Sequence, residues 1–146
     1  MKAPLTANRL REILHYEPAT GTFTRLVYRS SNAKSGQIVG SPDKDGYLRF
    51  YIDGRLYGAH RLAWLYMTGS WPEKEIDHIN NNTLDNRFVN LREADHQQNG
   101  YNKKLQANNT SGVKGVYWDK SKCKWMARLN INGRMVNLGR FANIED

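Results

Sequence analysis

Residues Ile76 to Asn102 read IDHINNNTLDNRFVNLREADHQQNGYN, and they hold the side chains best suited to chemistry. Asp77 and His78 are adjacent, an Asn90-Leu91 pair follows, and a polar segment downstream carries Asn99. A carboxylate and an amide oxygen are hard ligands that suit magnesium or manganese. Imidazole is the commonest general base. Together they could hydrolyse a phosphodiester with the help of one divalent ion.

Those residues need a scaffold. Glu75 to Ile79 reads as a strand, and Asn80-Asn81-Asn82-Thr83 is too polar and turn-prone for a core. Phe88, Val89 and Leu91 are apolar anchors. Asp95 with Gln98 three residues on fits an N-cap and its capping-box partner, predicting a helix to about Lys104 with Asn99 in its first turn. His96 and Asn102 lie three residues either side of Asn99, on roughly the same helix face, so either is an alternative second ligand.

Upstream, Thr6 can cap a short helix with Leu10, Ile13 and Leu14 on one face. Glu17 to Gly21 reads as a turn, and Thr22 to Arg29 is β-prone. Ile38-Val39-Gly40 reads as a short strand, and Tyr47 to Ile52 alternates as a longer one. Asp53-Gly54 is a hairpin signal leading into Arg55 to Tyr57. Ala59 to Thr68 is a helix ended by Gly69-Ser70-Trp71-Pro72, and His60 and Arg61 at its start are candidate phosphate contacts.

The stretch around Asp77 resembles the HNH endonuclease family of phage homing type, in the variant where aspartate replaces the first histidine. The resemblance rests on Asp77-His78, the asparagine-rich loop, Asn86-Arg87-x-x-Asn90-Leu91-Arg92 and a downstream Asn. It implies a ββα-metal core at about 74–104 within an endonuclease domain spanning 1–102. Asp77 and Asn99 then match the two metal ligands, His78 the water-activating base, and Asn90 the residue that pins the loop between the strands. Ala59-His60-Arg61-Leu62-Ala63 extends the resemblance upstream. The implied cofactor is one Mg2+ or Mn2+ per site, with no zinc, and the implied substrate is double-stranded DNA.

Charge divides the chain. The net charge is +8 and the mean hydropathy −0.76 over 146 residues. Residues 103–140 hold nine Lys/Arg against a single acid, Asp119, so the excess is concentrated there as expected of a polyanion-binding part. Cys123 is alone, which excludes internal disulfides and a C-x-x-C zinc ribbon. No apolar run approaches the roughly 20 residues of a membrane span. An intracellular, cytoplasmic protein acting in a bacterial host is expected.

Residues 103–111 read as a linker, and 112–146 as a second module of three strands. Ser111 to Trp118 is the first strand, Trp125 to Ile131 alternates, and Asn132-Gly133 turns into Met135 to Leu138. This segment resembles the plant APETALA/ethylene-response-factor DNA-binding domain, through Ser111 to Val116, Lys124-Trp125-x-Ala127 and Leu138-Gly139-x-Phe141. Where that family has a helix behind its sheet, this sequence ends at Asp146. The resemblance implies a sheet in the major groove. Lys114, Tyr117, Arg128, Asn130 and Asn137 are the outward candidates, with Lys120, Lys122, Lys124, Arg134 and Arg140 nearer the phosphates. The expected fold is α+β throughout: a small N-terminal antiparallel sheet with helices, the ββα core, and the C-terminal three-stranded sheet. The alternative function is a non-catalytic DNA-binding regulator with a degenerate nuclease fold.

Overall fold

Thr6 opens the first helix, α1 (Ala7–Ile13), by accepting the Arg9 backbone N–H on its hydroxyl at 3.2 Å. The computed structural model describes every residue except 1–3, 29, 103, 104, 106, 132 and 146, and the side chains of Gln97 and Tyr101 also fall outside it. Leu14, expected to continue the helix face, is extended instead and begins β1 (Leu14–Glu17). The Glu17–Gly21 turn returns the chain as β2 (Thr22–Arg25), antiparallel to β1. The next strand, β3, is Ser41–Pro42 and not the expected Ile38 to Gly40; Ile38 makes only an isolated bridge to Thr24. β4 (Leu48–Ile52) and β5 (Arg55–Gly58) complete a three-stranded sheet of order β3-β4-β5. Asp53 and Gly54 join them, both at positive φ (48° and 83°), the backbone that a two-residue type I′ hairpin requires.

α2 (Ala59–Thr68) follows the apolar spacing of its sequence and buries Ala59, Leu62, Ala63 and Leu65. Gly69 closes it in the left-handed conformation at φ 82°. Its buried face joins Leu10, Ile13, Phe23, Phe50 and Ile52 in one core. Each fully buried Leu or Phe there contributes about 1.5–3 kcal/mol.

β6 (Glu75–His78) and β7 (Leu91–Ala94) form an antiparallel pair, with a 3-10 turn at Phe88–Asn90 between them. α3 (His96–Asn102) follows directly. The capping box is complete: Gln98 donates its backbone N–H to Asp95 at 2.8 Å, and its side-chain oxygen accepts from the Asp95 N–H at 3.1 Å. The expected continuation of α3 to Lys104 lies outside the described residues.

The chain divides into two compact units, Met1–Asn102 and Lys103–Asp146. The second is an antiparallel sheet of order β10-β9-β8, from β8 (Val116–Asp119), β9 (Lys124–Ile131) and β10 (Arg134–Phe141). The expected first strand from Ser111 begins only at Val116, because Gly112 and Gly115 both take positive φ and turn the chain. β10 is longer than Met135 to Leu138 because a bulge between Asn137 and Gly139 lets the pairing resume. The class is mixed α+β built of small antiparallel sheets. Among the described residues, no helix is long and apolar enough to cross a membrane.

Candidate functional site

The β6–β7 register sets the site. Asp77 lies opposite Arg92, and His78 opposite Leu91. Both Asp77 and His78 are buried, which is uncommon for an acid and requires partners. Arg92 supplies two: its Nε and Nη2 donate to Asp77 Oδ2 at 3.0 and 2.8 Å. Asn102 supplies another from α3, its side-chain NH2 donating to Asp77 Oδ1 and Oδ2 at 3.1 and 3.0 Å and to the His78 carbonyl at 2.8 Å. The Asn102 side-chain oxygen accepts from Asn81 at 3.2 Å. Asn99 is turned elsewhere, donating to Glu75 Oε2 at 2.7 Å, and His96 Nδ1 is 3.4 Å from Glu75 Oε1. Of the three helix candidates, Asn102 is the one on Asp77 and the other two meet Glu75.

The loop from Ile79 to Asn90 holds itself through polar side chains. Asn90 donates to Asn80 Oδ1 at 3.0 Å and to the Asp85 carbonyl at 2.8 Å, and it accepts from the Asn80 backbone N–H at 3.1 Å. Arg87 grips Asp85 with both arms, at 2.7 and 2.6 Å, and this holds the Asp85 carboxyl well below the usual carboxylate range.

Asn86 stands in the motif without a role that its spacing reveals, and it orients His78. It has no exposed surface, and its Oδ1 lies 3.2 Å from His78 Nε2. Its NH2 donates to the Leu84 carbonyl at 3.2 Å, so the oxygen faces the ring and Nε2 must carry the proton. Neutral His78 therefore keeps its lone pair on Nδ1. Asn86 is itself fixed from far along the chain: the Tyr16 hydroxyl donates to its carbonyl at 2.7 Å. The β1–β2 turn closes over the same place. A Cβ on Gly21 would stand 2.4 Å from the Arg87 nitrogen, so only glycine fits at that φ of +75°.

The ring of His60 packs against that of His78, with centroids 5.4 Å apart, and Tyr47 lies 5.4 and 6.0 Å from the two. His60 thus points into the site from the start of α2. Its Nδ1 is buried with no hydrogen-bond partner among the described residues. Burial, then the neighbouring His78 and Arg61, push the His60 pKa down to about 4. Burial also lowers that of His78, against the opposing pull of Asn86 and Asp77. Arg61 instead lines an open cleft with Glu75, Asp95 and His96.

An unfolded His60 takes up a proton near pH 6.5, while the folded one resists until about pH 4. The folded state therefore keeps its full stability above pH 6.5 and loses up to about 3 kcal/mol from this group as pH falls to 4. His78 adds to the loss in the same direction. Chemical denaturation of wild type and His60→Gln across this range should give a shallower acid decline for the variant; parallel curves would contradict the assignment.

In the second unit, cross-strand pairing sorts the candidate DNA contacts. Tyr117, Met126 and Arg140 are paired across the three strands, and Arg128 pairs with Asn137 and Asn130 with Met135. The Arg128 guanidinium lies 5.3 Å over the Tyr117 ring, and Arg140 reaches Asp119 at 3.2 Å. Met126, on the face expected to point outward, is buried with its sulfur accepting the Tyr117 hydroxyl. Lys124 is the first residue of β9 and exposed, and so are Lys120 and Lys122 in the turn before it, Lys114 ahead of β8 and Arg134 at the start of β10. On the opposite face Trp118 packs on Trp125 at 5.1 Å, and Leu129 pairs with Val136.

An HNH endonuclease family model matches residues 57–101, which contain α2, the β6–β7 pair and nearly all of α3. That match covers none of residues 112–146, so the resemblance of the second unit to the plant domain finds no support there. Protein 3.8 of Escherichia phage T7 is 34% identical over 95 residues, spanning 64% of this chain and 76% of that protein. No solved structure matches the chain. With 76% of that relative covered and the HNH match centred on Asp77 and His78, the chain belongs to the family of phage T7 Protein 3.8 and carries an HNH endonuclease domain.

Proposed function

We propose that the protein is a metal-dependent DNA endonuclease of the homing or free-standing phage type, and that Asp77 and His78 carry its chemistry. The observation that supports this most is the division of labour between two adjacent buried residues. Asp77 presents a carboxylate to the amide-bearing face of α3, and His78 has Nε2 occupied by Asn86, leaving Nδ1 as a base. The burial that lowers the His78 pKa keeps that base neutral at ordinary pH.

A hard divalent ion suits these donors. Asp77 would be the first ligand, and an amide oxygen from α3 the second. The resemblance matches Asn99, whose side chain donates to Glu75 in this structure and would have to turn from it to reach a cation on Asp77. Asn102 offers its NH2 to Asp77 and has its oxygen engaged by Asn81, so it acts as the clamp that holds the carboxylate in place. So few protein ligands fit Mg2+ or Mn2+, which keep much of their coordination for water and phosphate oxygens. Such an ion, when bound, would supply charge stabilisation at the scissile phosphate and at the leaving 3′ oxygen. His78 Nδ1 accepts a proton from the attacking water as its oxygen bonds to phosphorus and the bond from phosphorus to the 3′ oxygen breaks; solvent protonates that leaving oxygen, giving 5′-phosphate and 3′-hydroxyl ends. Asn90 keeps the loop closed, and Arg61 in its open cleft takes a flanking phosphate. His60 acts by packing on His78. A single site of this kind nicks one strand per binding event.

The second unit supplies placement on duplex DNA, as the resemblance to the plant domain implies. Its tyrosine, asparagine and arginine face is suited to base edges, and the exposed lysines to phosphates. The test is a supercoiled plasmid incubated with the protein in Mg2+, Mn2+ or EDTA. Nicking in either metal, suppressed by EDTA, is the expected result. Tight DNA binding without nicking would favour the non-catalytic regulator.

A further inference from the structure

We propose that Arg92 is an internal counterion of Asp77 that couples cation binding to DNA binding. This rests on the function proposed above. The register of β6 and β7 places the two residues directly opposite, and the guanidinium puts both Nε and Nη2 on one oxygen, Asp77 Oδ2. The carboxylate is buried, while the Arg92 side chain is 46% exposed. A buried carboxylate needs a positive partner, and among the described residues Arg92 is the one that meets it.

A divalent ion on Asp77 requires the same carboxylate and repels the guanidinium beside it. Arg92 therefore weakens cation binding by the protein alone. Once a cation has taken over the charge on Asp77, Arg92 needs a new anion. Its solvent-facing half leaves it free to turn, and a phosphodiester oxygen pair matches the guanidinium fork. The exchange of one ion pair for two makes DNA and cation favour each other. By linkage, each raises the affinity of the other by the same factor. The site is then loaded mainly when substrate is present.

The experiment measures Mn2+ binding to the full chain by the EPR signal of free Mn2+, with and without a short duplex, after subtraction of ions held by the duplex alone. A His78→Ala background keeps the DNA intact. Arg92→Gln should bind Mn2+ at least about five-fold tighter without DNA, and the duplex should no longer add to that affinity. Arg92→Lys, which keeps the charge and loses the fork, should fall between and guards against misfolding of the glutamine variant. Mn2+ affinity equal to or weaker than that of the parent in Arg92→Gln, or a duplex effect of undiminished size, would overturn the proposal. Asp77→Asn separates the two levels. If Mn2+ binding survives that change, the proposed metal site itself falls. If binding needs Asp77 yet ignores Arg92, only the coupling is lost.

Discussion

His78→Ala lowers the rate of DNA cleavage by about 10² to 10⁴ while DNA affinity stays nearly unchanged. The size follows from the proposed role: a positioned base taking a proton in the transition state contributes within that range. The retained affinity follows from burial, because His78 is enclosed by Asn86, His60 and Tyr47 and offers little surface to DNA. Plasmid nicking gives the rate and fluorescence anisotropy gives the affinity. Equal cleavage by wild type and variant would remove His78 from the chemistry. Asn86→Leu should act on the same step, since losing the partner of Nε2 frees the ring to turn. It should lower the rate by less than His78→Ala does.

The second large effect is on salt dependence. Replacing Lys120, Lys122, Lys124 and Arg134 by glutamine should flatten the plot of log affinity against log salt by up to about 3.6, at about 0.9 per phosphate neutralised on B-DNA. Between 50 and 200 mM salt that slope alone is worth about 10² in affinity. These four are exposed, and among the described residues none is engaged in an internal ion pair in the way Arg140 is with Asp119. The substitutions leave Trp118, Trp125 and the apolar face of the sheet untouched, so the unit should stay folded. An unchanged slope would show that the basic segment is not where DNA is held.

Local signals in the sequence describe local structure well and distant contacts poorly. α2 spans Ala59–Thr68, the residues that apolar spacing and the glycine stop indicate. The Asp53-Gly54 hairpin and the Asp95–Gln98 capping box are likewise interactions between near neighbours, written in a few adjacent residues. β1 was hidden because Leu14 continues a helical apolar spacing while its backbone pairs with residues past the turn. The role of Asn86, which the motif also contains, is hidden for a stronger reason. Its value lies in contacts with Tyr16 and His78, and no periodicity reports a hydrogen bond that spans so much chain. Arg92 stood in the quoted motif, but its place on Asp77 follows only from the strand register. The sequence does not distinguish His96, Asn99 and Asn102, because all three share a helix face, and it is the packing of α3 on β6 that brings Asn102 to the carboxylate.

The most direct measurement runs wild type and Asp77→Asn side by side on supercoiled plasmid, in Mn2+ and in EDTA. Asparagine keeps the shape of the side chain and removes the charge that a cation needs. Wild type should nick in Mn2+ and not in EDTA, and the variant should nick little in either. Nicking that persists in EDTA, or that is as fast with Asn at position 77 as with Asp, would contradict it.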